Sequence, residues 1–463
     1  MMESAHSDRP PLMDIVADRK RKIEVKRNTR MLVLNGGLMM MAMTFVSSDL
    51  VLPAFVQTLT ASSVLVGLAS ALMRVGWSWP QVFISRIVEP QPRKMPLFVW
   101  AGVGRSVVWF ATGAITFWLG ADEPTTLLVV FMVLYGIATS MMGITNVPWM
   151  DIIGKSIPSA ERVRMFAWRR LLGGVMAMAA GAAISYILSS QSGLSFPDNY
   201  AVLFMLSGIG TGLSVWAFGS IREPIEKSDR KRLPFGAYMA SGLDLLRTDS
   251  NYRNLCVLQF MWAFSMMAAP FYVPYAIEGY GMPIVYVGFF VTVMQFSSIF
   301  SNALWAWVGH HKGNHALLVY GSWFMGLSVL IPLLTQWIPS QDLRPLAFVD
   351  IDVVINSQIL FYSLTFVFSG FATSGMFTGR MTYVLDISPP DRRPTYTSFM
   401  NMFMLPQGAL PVLGGVLVSW ISYQNTFVLS LIFVPLSVLM ARRLKDIRDV
   451  PPVTVLSPPE EEE

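Results

Sequence analysis

The chain has 463 residues, 53% of them hydrophobic and only 14% charged, against about 25% charged in a soluble domain; several apolar runs longer than 18 residues make it a polytopic membrane protein. The formal net charge of +5 comes from basic residues flanking those runs, which points to orientation in a lipid bilayer and not to nucleic acid. A single cysteine, Cys256, excludes an internal disulfide framework and a cysteine-based zinc site.

Residues 1–30 are polar and basic, with Arg27 and Arg30 nearest the first apolar run, and they read as a cytoplasmic N-terminal segment without a cleavable signal peptide. Twelve spans follow, at roughly 31–57, 64–86, 96–119, 125–147, 170–190, 200–220, 253–277, 284–306, 315–337, 358–383, 395–421 and 424–441. They group as a six-helix bundle over 31–220, a cytoplasmic central loop over 221–252, a second bundle over 253–443 and a disordered tail over 444–463. Trp118, Tyr200 and Trp337 mark span ends as an aromatic belt does. Of the 34 Lys and Arg residues, Arg74 and Arg105 fall inside spans and Arg344 lies on the far side; the others flank one side only. The positive-inside rule therefore puts both termini and the central loop in the cytoplasm, and loop 338–357 outside the cell membrane.

Within span 1, Asp49 sits about 27 Å along a helix counted from Met31. It is a candidate proton-coupling carboxylate, or else a helix-end aspartate facing external water. Span 2 holds Arg74 about 15 Å deep, near the middle of a core about 30 Å thick. Ser78 and Gln81 continue its face and Trp77 lies one turn on. A mid-span arginine costs at least ~2.5 kcal/mol, so it either holds an anionic group or forms a structural pair with Asp49 or a stack on Trp77. Arg105 is similarly deep in span 3. Asn146 in span 4, Gln259 and Trp262 in span 7, Gln295 and Asn302 in span 8 and Gln407 in span 11 are further candidate cavity residues; each alternatively serves as an interhelical hydrogen-bonder. His311 and His315 have a metal-compatible spacing, but Gly313 and Asn314 argue for a turn. No Walker loop, nucleophile elbow or zincin motif occurs, so ATP-driven or hydrolytic chemistry has no support and no cofactor or metal is implied.

The chain repeats itself. A shift of 221 residues lays Pro53 on Pro274, Val64, Val66, Gly67 and Met73 on Val285, Val287, Gly288 and Met294, Arg74 on Gln295 and Gln81 on Asn302. Two halves of one plan, each with a polar stripe on its second helix, form the pattern of a duplicated transporter.

Residue-level motifs then carry a family resemblance. Gly309-His310-His311-Lys312-Gly313-Asn314-His315 and the Arg93-Lys94 end of loop 2–3 resemble the interior loops of the major facilitator superfamily, though the first lacks the family's acidic residue. Asp49-Leu50-Val51-Leu52-Pro53 resembles the first-span signature of its drug–proton antiporters, and Pro158-Ser159-Ala160-Glu161-Arg162 and Pro390-Asp391-Arg392-Arg393 its recurring acidic–arginine loops. The resemblance implies an all-α fold of two pseudo-symmetric six-helix bundles and a monomer working by alternating access. It also implies that spans 3, 6, 9 and 12 lie outside the central site and that loop 2–3 latches the halves together. The function expected is proton-coupled efflux of an amphipathic small molecule; the rivals are uptake or exchange of an organic anion, and a non-transporting protein that assembles a cofactor or pigment.

Overall fold

The computed structural model describes residues 12–88, 91–225, 244–341, 356–388, 396, 399–400 and 406–445. Every long element among them is an α-helix, the solution a chain adopts when hydrocarbon offers its backbone no hydrogen-bond partner. Nine helices among the described residues are long and apolar enough to cross a membrane. The last of them, Pro406–Arg442, contains two spans, because Ser422 (φ 82°, ψ 165°) turns the chain between spans 11 and 12. Span 1 and span 2 (Ser63–Val88) complete the twelve. The other spans are 3 (Met95–Leu119), 4 (Pro124–Ser156), 5 (Ser159–Leu188), 6 (Asp198–Gly219), 8 (Tyr286–Lys312), 9 (Asn314–Leu334) and 10 (Ser357–Ile387).

Two boundaries differ from the sequence expectation. The first helix starts at Leu12, not near residue 31, and runs unbroken to Phe45. No Pro or Gly interrupts it before Gly36, and its extension docks on the end of span 6. There Glu24 Oε1 accepts from Arg222 Nη1 at 2.8 Å, and Arg27 Nη2 donates to the Ser220 carbonyl at 3.0 Å. Span 1 is also not one helix. It breaks after Phe45 and resumes as Val51–Leu59. Span 7 is interrupted at the matching place, running as Ser250–Ser265, a 3₁₀ turn Met266–Phe271, and Tyr272–Tyr280. Pro53 and Pro274 each stand third in the resumed helix, in the first turn, where the missing N–H costs no helical bond. Most of the central loop, of loop 338–357 and of the tail lies outside the described residues.

The halves pack symmetrically, span 5 against span 8 and span 2 against span 11. The end of the molecule carrying loops 2–3, 4–5 and 8–9 is here termed the basic end, and the opposite one the far end. Toward the far end the halves meet backbone to backbone. A Cβ on Gly288 would fall on the backbone of Gly181 and Ser185, and one on Gly67 on the backbone at Pro411 and Val412. These two glycines are partners in the 221-residue repeat. Beside them Gln57 Nε2 donates to Glu278 Oε1 at 2.6 Å, closing span 1 on span 7. Toward the basic end, Phe377 of span 10 and Met150 of span 4 are exposed.

Candidate functional site

A cavity of about 220 Å³ lies against the break in span 1. Its wall is built from Met40, Met43, Thr44, Ser47 and Ser48 of span 1, Met73 of span 2, Arg105 and Trp109 of span 3, and Tyr135, Ala138 and Thr139 of span 4. Val291, Met294 and Gln295 of span 8 close it from the other half. The break is fixed locally: Val51 and Leu52 N–H groups donate to the Ser47 carbonyl at 3.1 and 3.0 Å, and Ser70 Oγ donates to the Ser48 carbonyl at 2.5 Å.

Span 3 contributes because its buried positions, among them Phe98, Ala101, Gly102, Arg105, Trp109 and Thr112, recur at helical spacing and form one inward stripe. Arg105 is 4% exposed and Trp109 and Tyr135 1% each. Arg105 Nη1 points at Met39 Sδ at 3.3 Å, a weak acceptor, and its Nε has no partner. Trp109 Nε1 and the Tyr135 hydroxyl are also without partners, and their rings lie 5.7 Å apart. Phe131, Phe204 and Phe55 pack behind them, with Phe55 edge-on to Phe131 at 4.9 Å.

Asp49 stands in the break itself, part-buried, with Oδ1 unpartnered. It is within electrostatic reach of Arg74 and of Tyr135. Arg74 is half-buried beside the contact of Val75 with Gly408 of span 11, and forms neither an ion pair nor a stack on Trp77 among the described residues. Of the sequence candidates, Arg105 and Gln295 line this cavity; Asp49 and Arg74 stand next to the lining residues Ser48 and Met73.

The remaining candidates form links nearer the basic end. Gln81 donates to the Trp77 carbonyl at 2.6 Å and accepts from Asn146 at 3.2 Å, joining spans 2 and 4. Asn302 Oδ1 accepts from Arg170 of span 5 and Ser374 of span 10, each at 3.1 Å, so it bridges the halves. Gln259 accepts from Arg380 at 3.3 Å, Trp262 Nε1 has no partner, and Gln407 is 4% exposed. Arg170 was not singled out in the sequence because it stands at the expected start of a span, where a basic residue reads as orientation.

The loop residues act within the N-terminal half. Lys94 Nζ meets Asp151 Oδ2 at 2.7 Å, Lys155 meets the same oxygen at 2.8 Å, and the Lys94 and Met95 N–H groups donate to Glu223 at 2.9 Å. These contacts tie span 3 to spans 4 and 6, where the resemblance implied a latch between halves. Arg93 and Glu161 are exposed, while Arg162 donates to the Ile157 and Gly154 carbonyls at 2.8 and 2.6 Å, closing the end of span 4. Gly313, at φ 81°, ends span 8 and puts His311 and His315 on different helices. Asp391 and Arg392 lie outside the described residues.

Three solved structures share this architecture at 12% identity. The nucleoside transporter NupG matches over 92% of this chain and 99% of its own, at a TM-score of 0.60. A bacterial homologue of the iron transporter ferroportin, in an inward-facing state, matches over 90% and 98% at 0.63. The human organic anion transporter MFSD10 (TETRAN) matches over 94% and 100% at 0.58. At that identity they establish the fold alone. Among curated proteins none matches the sequence. The Major Facilitator Superfamily profile, however, matches residues 32–349 and 345–462, nearly the whole chain. With two six-helix halves around a cavity, the chain belongs to the major facilitator superfamily and is a multi-pass membrane transporter.

Proposed function

We propose that the chain is a secondary active transporter that moves a small amphipathic organic solute by alternating access, exchanging it for protons at Asp49. The observation that carries this reading is the break in span 1. It puts a carboxylate with one unpartnered oxygen beside a cavity walled by both halves. Interrupted helices near the midplane are where transporters place solute and coupling-ion sites. Methionines from spans 1, 2 and 8 give that wall an adaptable apolar surface. With the termini cytoplasmic, as the basic residues indicate, the contact at the far end supports reading this as an inward-facing arrangement in a cell membrane; the monomer is what the family resemblance implies. Efflux follows from the likeness of Asp49 and Pro53 to the antiporter signature, although the helix restart at Val51 also accounts for Pro53.

A second reading, transport of an organic anion, is favoured by Arg105 in the cavity wall; one structural neighbour is itself an organic anion transporter. The test is flux in proteoliposomes with an imposed pH gradient, offering 3-phenylpropylammonium and 3-phenylpropanoate as matched solutes. Gradient-driven flux of one of them, lost in Asp49→Asn, is expected. Flux that ignores the gradient, or survives Asp49→Asn unchanged, refutes proton coupling at this carboxylate.

A further inference from the structure

The geometry points to an anion subsite on spans 3 and 4: Arg105, Trp109 and Tyr135 receive the anionic head of a small solute whose apolar body lies against the cavity methionines. This deepens the transport reading by naming the substrate class, a small monoanion such as a carboxylate.

The three side chains are each at least nine-tenths buried, and each has a polar atom without a partner. All three line one cavity. The guanidinium and indole N–H groups donate only, and the phenol O–H can donate. A buried donor with no acceptor is rare and costly, so three of them on residues that line one cavity call for an acceptor there. The wall does not supply one in this arrangement: Thr44 Oγ1 donates to the Met40 carbonyl at 2.7 Å and Thr139 Oγ1 to the Tyr135 carbonyl at 3.0 Å, and neither oxygen accepts from Arg105, Trp109 or Tyr135. Asp49 does not close on Arg105 in an ion pair. The cation thus remains available, and its planar fork suits a carboxylate.

Size and surroundings limit the solute further. The cavity of about 220 Å³ is smaller than the ~300–1,000 Å³ of drug-sized pockets, which favours a short-chain or single-ring acid. Met40, Met43, Met73 and Met294 provide the apolar side. Span 3 carries this subsite although the family resemblance placed that span outside the central site.

The test is calorimetric binding to the full chain purified in detergent, using three probes with one phenylpropyl body: 3-phenylpropanoate, 3-phenylpropanamide and 3-phenylpropylammonium. The carboxylate is expected to bind at least about tenfold tighter than either of the others, as a charge-assisted contact does. Arg105→Gln is expected to lower carboxylate affinity about ten- to hundredfold and remove the preference over the amide, with Arg105→Lys recovering part of it. Tyr135→Phe removes only the hydroxyl and Trp109→Phe leaves a smaller aromatic ring without the N–H, and each is expected to weaken the carboxylate about three- to tenfold while sparing the amide. Equal binding of the three probes, no binding of any, or unchanged carboxylate affinity in Arg105→Gln overturns the subsite. Should Arg105→Gln fail to fold, the two phenylalanine variants decide, and unchanged affinity in both overturns it. The two readings fail separately. Carboxylate binding through Arg105 without any flux in liposomes upholds the subsite and removes transport; proton-driven flux with no carboxylate preference does the reverse.

Discussion

Gly288→Ala is expected to weaken the far-end closure of the two halves. The Cβ it adds lands on the backbone of Gly181 and Ser185, across the contact of span 8 with span 5. Backbone atoms within helices cannot move aside as a flexible side chain can, so the strain is that of overpacking, about 1–3 kcal/mol. The strain exists only while the far ends touch, so it acts on one state of the transport cycle. A bias of that size changes the ratio of the two states by about 5–150-fold. A far-end-open state populated at about 1% would then rise to roughly 5–60%. The assay is a pair of spin labels on Gln191→Cys and Ser340→Cys, on the far-end surfaces of the two halves, in a Cys256→Ser background. Their distance distribution is expected to gain a longer component. Gly154→Ala is the control: a Cβ there meets nothing within 4 Å, so the distribution should stay as in the parent. A Gly288→Ala protein that is folded, with an unchanged distribution, refutes the idea that this glycine contact distinguishes states.

Three further outcomes are expected. Arg74→Gln copies the residue at the matching place in the second half, so it should insert and melt close to the parent while losing transport, and Arg74→Lys should restore only part; normal flux in Arg74→Gln removes this residue from the mechanism. Asp151→Asn leaves the buried Lys94 ammonium without its carboxylate and should cost about 1–3 kcal/mol, read as a lower unfolding midpoint that Lys94→Met partly recovers; an unchanged midpoint shows that this contact contributes no stability. Arg93→Cys and Ser340→Cys, each in a Cys256→Ser background, should react with an impermeant maleimide from opposite sides of the membrane, Ser340→Cys from outside. Reaction from the same side sinks the orientation.

The architecture was readable in the sequence because hydrocarbon imposes one pattern at a time. Apolar runs located the spans, and the ungapped 221-residue shift anticipated that Pro53 and Pro274 would occupy the same place in two interrupted helices. The interruptions themselves were not readable. Ser47, Ser48 and Asp49 lie in a run that stays apolar on both sides, so hydropathy continues across the break and a continuous helix placed Asp49 too simply. Arg105 was visible as a charge inside a span, yet its place depends on which face of span 3 turns inward, a matter settled by packing against spans 4 and 6. Trp109 and Tyr135 gave no signal at all, since an aromatic residue in a span reads as core until a partner for its polar atom is sought. Gln81 and Asn146 were visible only singly, and their link, like that of Asn302 with Arg170, appears only in the packed structure.

The closure of span 1 on span 7 has one further property. Gln57 and Glu278, joined at 2.6 Å, are separated by 221 residues, the same interval that relates the halves. Each is therefore the other's counterpart, and their bond lies on the pseudo-two-fold axis itself. In a dimer of two identical half-length chains, that place would bring a side chain against its own copy. Two glutamates there would repel unless one took up a proton, and two glutamines would forgo the charge. A single chain carrying both halves can hold an amide on one side and a carboxylate on the other. Fusion thus opened to selection a lock at the rim that strict symmetry forbids, and one whose strength can be tuned from a single side.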